Sequence, residues 1–342
     1  MNIAVVLFNL GGPDKLENVE PFLFNLFNDP SILSLPSFIR YPLAKLISKR
    51  RAPVAKAIYQ NIGGSSPILK LTEYQGRSLE KALNNNKSGY NYKVFIAMRC
   101  WHPRASETVN LVKNFNPDEI VLLPLYPQYS AATSGSSILE WKETAKKKNL
   151  NINTSIICCY PQDSKFIKAH SELIKSKING LNNFKLIFSA HGLPEKNIKN
   201  GDPYQWQVEQ SVSKIMNEIG EDNIDYVLSY QSRVGPLKWI GPSTDQVIIE
   251  NSKKGKKLVI VPIAFVSEHS ETLVELDIEY EKLARENGCK KYIRIEALGI
   301  NEHFIEGLSN IVINKNEYKY KNNLFPPKNR CPSNFTKCPC LN

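Results

Sequence analysis

The chain has 342 residues, 42% of them hydrophobic and 23% charged, the balance of a globular protein with room for two ordinary domains. No apolar run approaches the ~20 residues of a membrane span. The net charge of +11 would attract an anionic partner such as nucleic acid, an acidic membrane surface or a carboxylated ligand. A solvated basic surface accounts for most of that charge, and no helix-turn-helix, zinc finger or aromatic RNA-binding motif is visible, so nucleic acid is not expected. Seven cysteines, an odd number, argue against a disulfide framework. The first residues, Met1 to Gly12, lack a basic region and a cleavage site. The expected location is the cytoplasm.

In chain order, apolar runs predict strands over Ile3–Phe8, Lys93–Met98, Glu119–Leu125 and Thr154–Tyr160. A second set follows over Phe184–Ser189, Asp225–Tyr230, Lys257–Ala264 and Tyr292–Leu298. Near-continuous apolar strands spaced by helix-length segments mean parallel sheets covered on both faces. The predicted fold class is α/β: two similar doubly wound domains, each with a four-stranded parallel sheet flanked by helices. The expected boundaries are 1–162 and 163–310, with an extension over 311–342. Ile120–Glu140 resembles Leu258–Glu275, each an apolar strand closed by Pro and followed by a polar loop and a helix start. An internal duplication explains the likeness.

Between the first two strands lies Pro30–Lys56, rich in Leu and Ile and carrying Arg40, Lys45, Lys49, Arg50, Arg51 and Lys56. Such a segment suits an anionic membrane surface. It equally suits a helix packed on the domain with its charges in water.

In open α/β sheets, ligands bind beyond the carboxyl ends of the strands. Arg99 follows one strand and Tyr126 another. His191 follows the first strand of the second half, and Glu268, His269 and Glu271 follow its third. If the halves face each other, these ends line one cleft. His191 fits either a satisfied structural histidine or a reactive one. Glu268, Glu271 and Glu275, spaced by three and four, could form an acidic helix face that binds a divalent cation or passes protons. The same residues could serve a helix start, with Ser270 as N-cap and acids favoured in the first turn. The small-residue loops Ile62–Pro67 and Thr133–Ser137 match neither the P-loop nor the dinucleotide fingerprint, which disfavours nucleotide binding.

F-S-A-H-G-L-P (Phe188–Pro194) with G-D-P-Y (Gly201–Tyr204) closely resembles the signature of ferrochelatases, the enzymes that insert ferrous iron into protoporphyrin. N-L-G-G-P-D, I-G-G-S-S-P, A-M-R-C-W-H-P, L-P-L-Y-P-Q-Y-S-A-A-T-S-G-S-S, S-Y-Q-S-R-V-G-P-L-K-W-I-G-P-S-T and V-P-I-A-F-V-S-E-H-S-E-T-L-V-E-L-D look like that family in order, over roughly the first 310 residues. The resemblance implies His191 and Glu271 as the catalytic and metal-contacting pair. It places Leu10, Tyr59, Ser66, Arg99, Tyr126, Trp239, Phe265 and His269 around the porphyrin, and Glu268 and Glu275 along a proton or metal relay. It implies protoporphyrin IX and Fe²⁺ as substrates, and makes residues of about 30–56 a lip over the site that can touch the inner face of the membrane. Leu10 stands where some relatives have Met, and Cys100 where many have Tyr after the motif Arg. The alternatives left open are a coproporphyrin or other tetrapyrrole chelatase, and a porphyrin carrier without turnover.

Some members of the family carry a two-iron two-sulfur cluster. Here the tail holds Cys331, Cys338 and Cys340, one thiolate short of four. Pro332 and Pro339 favour extension there, and the spare thiols, Cys158 and Cys159, belong to a predicted core strand. The expectation is therefore a chain that needs no cofactor and holds no cluster. The alternative left open is a cluster on Cys331, Cys338, Cys340 and an unassigned fourth thiol, since Cys158 lies near a strand end that the tail could reach.

Overall fold

The computed structural model describes residues 1–86, 89–221, 223–233, 235–315, 324–325 and 331–341. It resolves into two compact units. The first comprises Met1–Tyr126, Ser130–Cys158 and the described residues within Val312–Phe325. The second comprises Pro127–Tyr129, Cys159–Ile311 and the described residues within Pro326–Asn342. The residues after 311 are thus shared between the units.

The first unit holds β1 (Asn2–Asn9), β2 (Asn91–Met98), β3 (Glu119–Pro124) and β4 (Thr154–Ile157), with helices α1 (Val19–Phe27), α2 (Ser37–Gln60), α3 (Ile68–Asn84), α4 (Ala105–Phe115) and α5 (Ser136–Lys147). The second holds β5 (Phe184–His191), β6 (Tyr226–Gln231), β7 (Lys257–Pro262) and β8 (Tyr292–Arg294). Its helices are α6 (Ser164–Ile178), α7 (Glu195–Lys199), α8 (Tyr204–Ile219), α9 (Thr244–Lys253), α10 (Tyr280–Glu286) and α11 (Glu302–Ile313).

All pairings are parallel, in the orders β2-β1-β3-β4 and β6-β5-β7-β8. Shared strand order is what a duplication would leave. The first sheet gains a fifth strand, β9 (Leu324–Phe325), parallel to β4 and unanticipated from the sequence. Four strands, β3, β4, β7 and β8, end earlier than their apolar runs. Past Ile157 the chain leaves the ladder, and the Tyr160 amide donates instead to the Pro127 carbonyl.

Strand β1 shows why the apolar runs are continuous: Ile3 to Phe8 are at most 1% exposed. Ala4, Val6 and Phe8 face a core with Val109 and Val112 of α4 and Trp141 of α5. On the opposite face Gly76 of α3 lies over Leu7, where a Cβ would sit 3.7 Å from its Cδ1. In the second unit, Val247 and Ile248 of α9 pack with Leu276 and Ala284 on Leu258, Ile260 and Ile187. The first sheet is thus covered by helices on both faces, and in the second the opposite face, with Leu186, Phe188, Val259 and Val261, is buried as well, as doubly covered parallel sheets require.

The basic segment between β1 and β2 is mostly helix α2, and its sidedness is inverted. Ala44, Ser48 and Ala52, each four apart, are buried, with Tyr59 in the last turn. Phe38, Tyr41, Leu46 and Val54 are exposed. Small residues face the protein and large apolar ones face out.

Candidate active site

β5 runs two residues further than its apolar stretch, so His191 is the last strand residue, in register with Gln231 of β6. Glycine follows for a steric reason. A Cβ on residue 192 would lie 2.9 Å from the Gln231 carbonyl oxygen and 3.3 Å from the Trp239 ring. Trp239 is brought there by a short antiparallel ribbon, in which the Ile240 amide donates to the Leu193 carbonyl at 3.0 Å and Trp239 bridges Pro194. Beneath, the buried Tyr204 hydroxyl lies against the His191 backbone, and burial pushes its phenol pKa up.

The second half of the site follows β7. Glu271–Glu279 winds as a π-helix, not the α-helix expected, and the Ser270 side chain does not cap it. The His269 amide donates to Thr272 Oγ1 at 2.9 Å. His269 Nδ1 donates to the Ser267 carbonyl at 3.1 Å, since a carbonyl only accepts, and this leaves Nε2 aimed at Glu271. His269 Nε2 lies 3.7 Å from Glu271 Oε2, and His191 Nε2 lies 4.0 Å from Oε1. Both gaps are within ion-pair range and too long for hydrogen bonds. The Phe265 ring is 6.4 Å from His191 and 4.7 Å from His269.

Burial alone would raise the Glu271 pKa, but the two imidazoles outweigh it and hold the carboxyl down at about 2. Burial would likewise lower the His269 pKa, yet the Glu271 carboxylate leaves it raised. His191 Nδ1 and Glu271 Oε2 are buried without a hydrogen-bond partner. Among the described residues, no three His, Cys, Asp or Glu side chains enclose a common metal position. The pair is open.

The three glutamates do not form one face. Glu268 pairs with Arg294, which also binds Asp277 at 2.5 Å, and accepts from the Ala297 amide at 2.8 Å. Glu275 turns to the end of β6 and accepts from Gln231 Nε2 (2.9 Å), the Ser232 amide (2.9 Å), Ser232 Oγ (2.6 Å) and the Tyr280 hydroxyl (3.0 Å). Gln231 also donates to the Glu271 carbonyl at 3.2 Å, so it locks the π-helix to the strand end. Gln231 and Ser232 were not singled out by the sequence reading, although they stand at a strand's carboxyl end, where the location rule points.

In the first unit, Leu10, Arg99 and Tyr126 follow β1, β2 and β3. The Cys100 amide donates to the Leu10 carbonyl at 2.8 Å, and Leu10 packs with Tyr59, Cys100 and Trp101. Burial pushes the Cys100 thiol pKa up to about 12. Ser66 sits on Gly12, with its amide donating to the Pro13 carbonyl at 2.8 Å. Arg99 is fully engaged: Asp29 at 2.7 Å, Glu140 at 3.3 Å and Ser136 Oγ at 3.2 Å. Burial pushes the Tyr126 phenol pKa up.

The tail is not extended. Phe335, Cys338 and Leu341 amides donate to the carbonyls of Pro332, Phe335 and Cys338, three turns in succession. They fold Cys331, Cys338 and Cys340 inward, all at most 6% exposed. Gln207 of α8 donates through Nε2 to Cys331 Sγ at 3.2 Å and to Cys159 Sγ at 3.4 Å. A hydrogen bond with Cys338, then burial, pushes the Cys331 thiol pKa up. Cys159 lies beyond the end of β4, not within the core strand predicted from the sequence.

Two parallel α/β units of one strand order give the chelatase-like class of fold. SirB from Bacillus subtilis with Fe³⁺ superposes with a TM-score of 0.56 at 13% identity, covering 92% of this chain and 95% of that one. The sirohydrochlorin chelatase SirB in complex with cobalt gives 0.55 at 12% identity, with the same coverage. The family follows from sequence. The ferrochelatase family model matches residues 2–316. A ferrochelatase of Pelagibacter ubique is 67% identical over all of this chain and 99% of its own length, and one of Caulobacter vibrioides is 49% identical over 99% and 97%. The chain belongs to the ferrochelatase family, whose enzymes insert iron into a porphyrin for haem synthesis.

Proposed function

We propose that the porphyrin is protoporphyrin IX, that the product is protohaem, and that His191 and Glu271 perform the insertion. The observation that carries this is the open pair: an imidazole and an ionised carboxylate 4.0 Å apart, each with an unpartnered buried atom. Iron enters a planar ring only after two pyrrole N–H protons leave. Bending the ring turns the nitrogen lone pairs out of plane, strain supported by binding energy from the rest of the macrocycle. Trp239 and Phe265 supply aromatic walls for that binding. His191 takes the two pyrrole protons in turn and releases each to water, and Glu271, held ionised, balances the imidazolium charge and contacts the entering Fe²⁺. Glu275, Gln231 and Ser232 hold the π-helix that carries Glu271 against β6. Glu268 serves this half through Arg294 rather than as a relay member.

The test is anaerobic insertion of Fe²⁺ with protoporphyrin and coproporphyrin in competition. Faster turnover of protoporphyrin supports the reading. Preference for coproporphyrin reassigns the substrate, and binding without insertion makes the protein a carrier.

We further propose that the lip contacts an anionic membrane surface through the outward-facing Phe38, Tyr41 and Val54 and the basic residues of α2. No helix among the described residues is long and apolar enough to cross a membrane.

The buried thiols support the reading of a two-iron two-sulfur group. Two sulfurs, Cys159 and Cys331, flank one buried amide, Cys331 is hydrogen-bonded with Cys338, and Cys340, 2% exposed, stands two residues past Cys338. We propose Cys159, Cys331, Cys338 and Cys340 as its four holders. When bound, the group supplies a one-electron couple. The chain's own contribution is the docking of the tail. The Lys337 amide donates to the Gly201 carbonyl at 3.0 Å, and Phe335 packs on Trp206 at 6.0 Å. Any Cβ on Gly201 would strike Thr336. Iron and sulfide analysis of anaerobically purified protein, before and after Cys159→Ser, tests this assignment.

A further inference from the structure

We propose that Gln207 is a tuning residue: its carboxamide donates to the sulfurs of Cys159 and Cys331 and raises the reduction potential of the iron–sulfur group, a role that rests on the cluster reading above. Gln207 is fully buried in the first turn of α8. Its orientation is fixed by the partner of its oxygen. Oε1 accepts from the Tyr129 amide at 2.7 Å, and a backbone N–H can only donate. The NH₂ end must therefore face the sulfurs, at 3.2 and 3.4 Å. Flipping the amide would set two donors against each other.

A buried amide gains little from neutral thiols, which accept weakly. It gains more from anionic sulfur, because a charged acceptor roughly doubles the strength of a hydrogen bond. Both donors of an otherwise satisfied glutamine are directed at sulfur, which matches a site that carries negative charge when loaded. Reduction adds one electron and increases that charge. Donors to sulfur therefore favour the reduced state and raise the potential. Gln207 is also one turn of α8 beyond Tyr204, which lies against the His191 backbone.

The test is an EPR-monitored redox titration of the full chain, purified without oxygen, with iron and sulfide counts for each preparation. Gln207→Glu keeps the acceptor for the Tyr129 amide and removes both donors. Gln207→Met removes them without adding charge. The expected result is a retained cluster in both variants and a midpoint potential lower than that of the parent. An unchanged or higher midpoint in both overturns the tuning role while leaving the cluster assignment standing. If Gln207→Met folds without iron, Gln207→Leu, equally uncharged, takes its place. Loss of the cluster from both variants, with iron and sulfide present in the parent, makes Gln207 an assembly requirement and sinks the tuning claim. A parent chain free of iron and sulfide overturns the cluster reading and this one together.

Discussion

The carboxyl ends of the two sheets share a strand order and differ in chemistry. Each third strand closes on a proline, Pro124 or Pro262, and each is followed by a π-helical segment, Ala131–Gly135 or Glu271–Glu279. In the first unit the polar groups there are consumed by one another: Arg99 by Asp29, Glu140 and Ser136, and Arg104 by Glu140 at 2.6 Å. In the second unit His191 and Glu271 face each other across a gap and keep unmade bonds. Two units of one strand order thus share backbone devices, while hydrogen bonding is left incomplete at the strand ends of one and completed at those of the other.

Removing the carboxylate charge from the reactive end should have the largest effect. Glu271→Gln is expected to cut the insertion rate by about 10²-fold or more, with thermal stability preserved, because acid–base groups supply that order of rate. An unfolded variant would mean that Glu271 serves the π-helix instead. The quiet end should answer in stability. Arg99→Met leaves the Asp29 carboxylate, only 3% exposed, without its partner. The expected loss is about 3 kcal/mol, read from a urea midpoint. A change near zero would show that Arg99 is held in reserve for substrate.

A further histidine of the second unit sharpens the contrast. His170 of α6 is fully buried against Phe166, neither ring nitrogen has a partner, and burial pushes its pKa down to about 3. The unfolded chain binds a proton at His170 below its ordinary pKa of ~6.5, and the folded chain does not. Its contribution to stability is therefore complete above that pH and falls as pH drops towards 3, by about 1.4 kcal/mol per unit. His170→Leu should flatten that part of the curve in pH-dependent urea denaturation, and an unchanged slope would place the acid sensitivity elsewhere. The smallest effect concerns α2. Arg50→Gln with Arg51→Gln should weaken binding to anionic vesicles by about 1 kcal/mol per charge in a sedimentation assay. Unaltered binding would return these charges to bulk solvent.

Most of the architecture was legible because doubly covered parallel strands must be apolar at every position, a pattern that survives without structural information. β9 was not, since two residues carry no period. His191 was found by its place beyond an apolar run, although the backbone ladder continues through it to meet Gln231. The supposed face of Glu268, Glu271 and Glu275 failed because an α-helical repeat was assumed. The π-helix starts only at Glu271, Glu268 lies before it bound to Arg294, and Glu275 is captured by Ser232. The tail misled for another reason. Pro339 was read as enforcing extension, yet it is the second residue of the Cys338–Leu341 turn, a position proline favours. Gln207 had no sequence signal, because its role depends on sulfurs more than forty residues away on one side and more than a hundred on the other.

The central claim is that the open pair performs the chemistry and the surrounding walls perform the binding. His191→Ala separates the two most directly. Protoporphyrin binding by fluorescence quenching and anaerobic Fe²⁺ insertion are measured on the same preparation. The account predicts a dissociation constant within a few-fold of the parent and insertion reduced to background. Insertion within a few-fold of the parent, with binding intact, would contradict it.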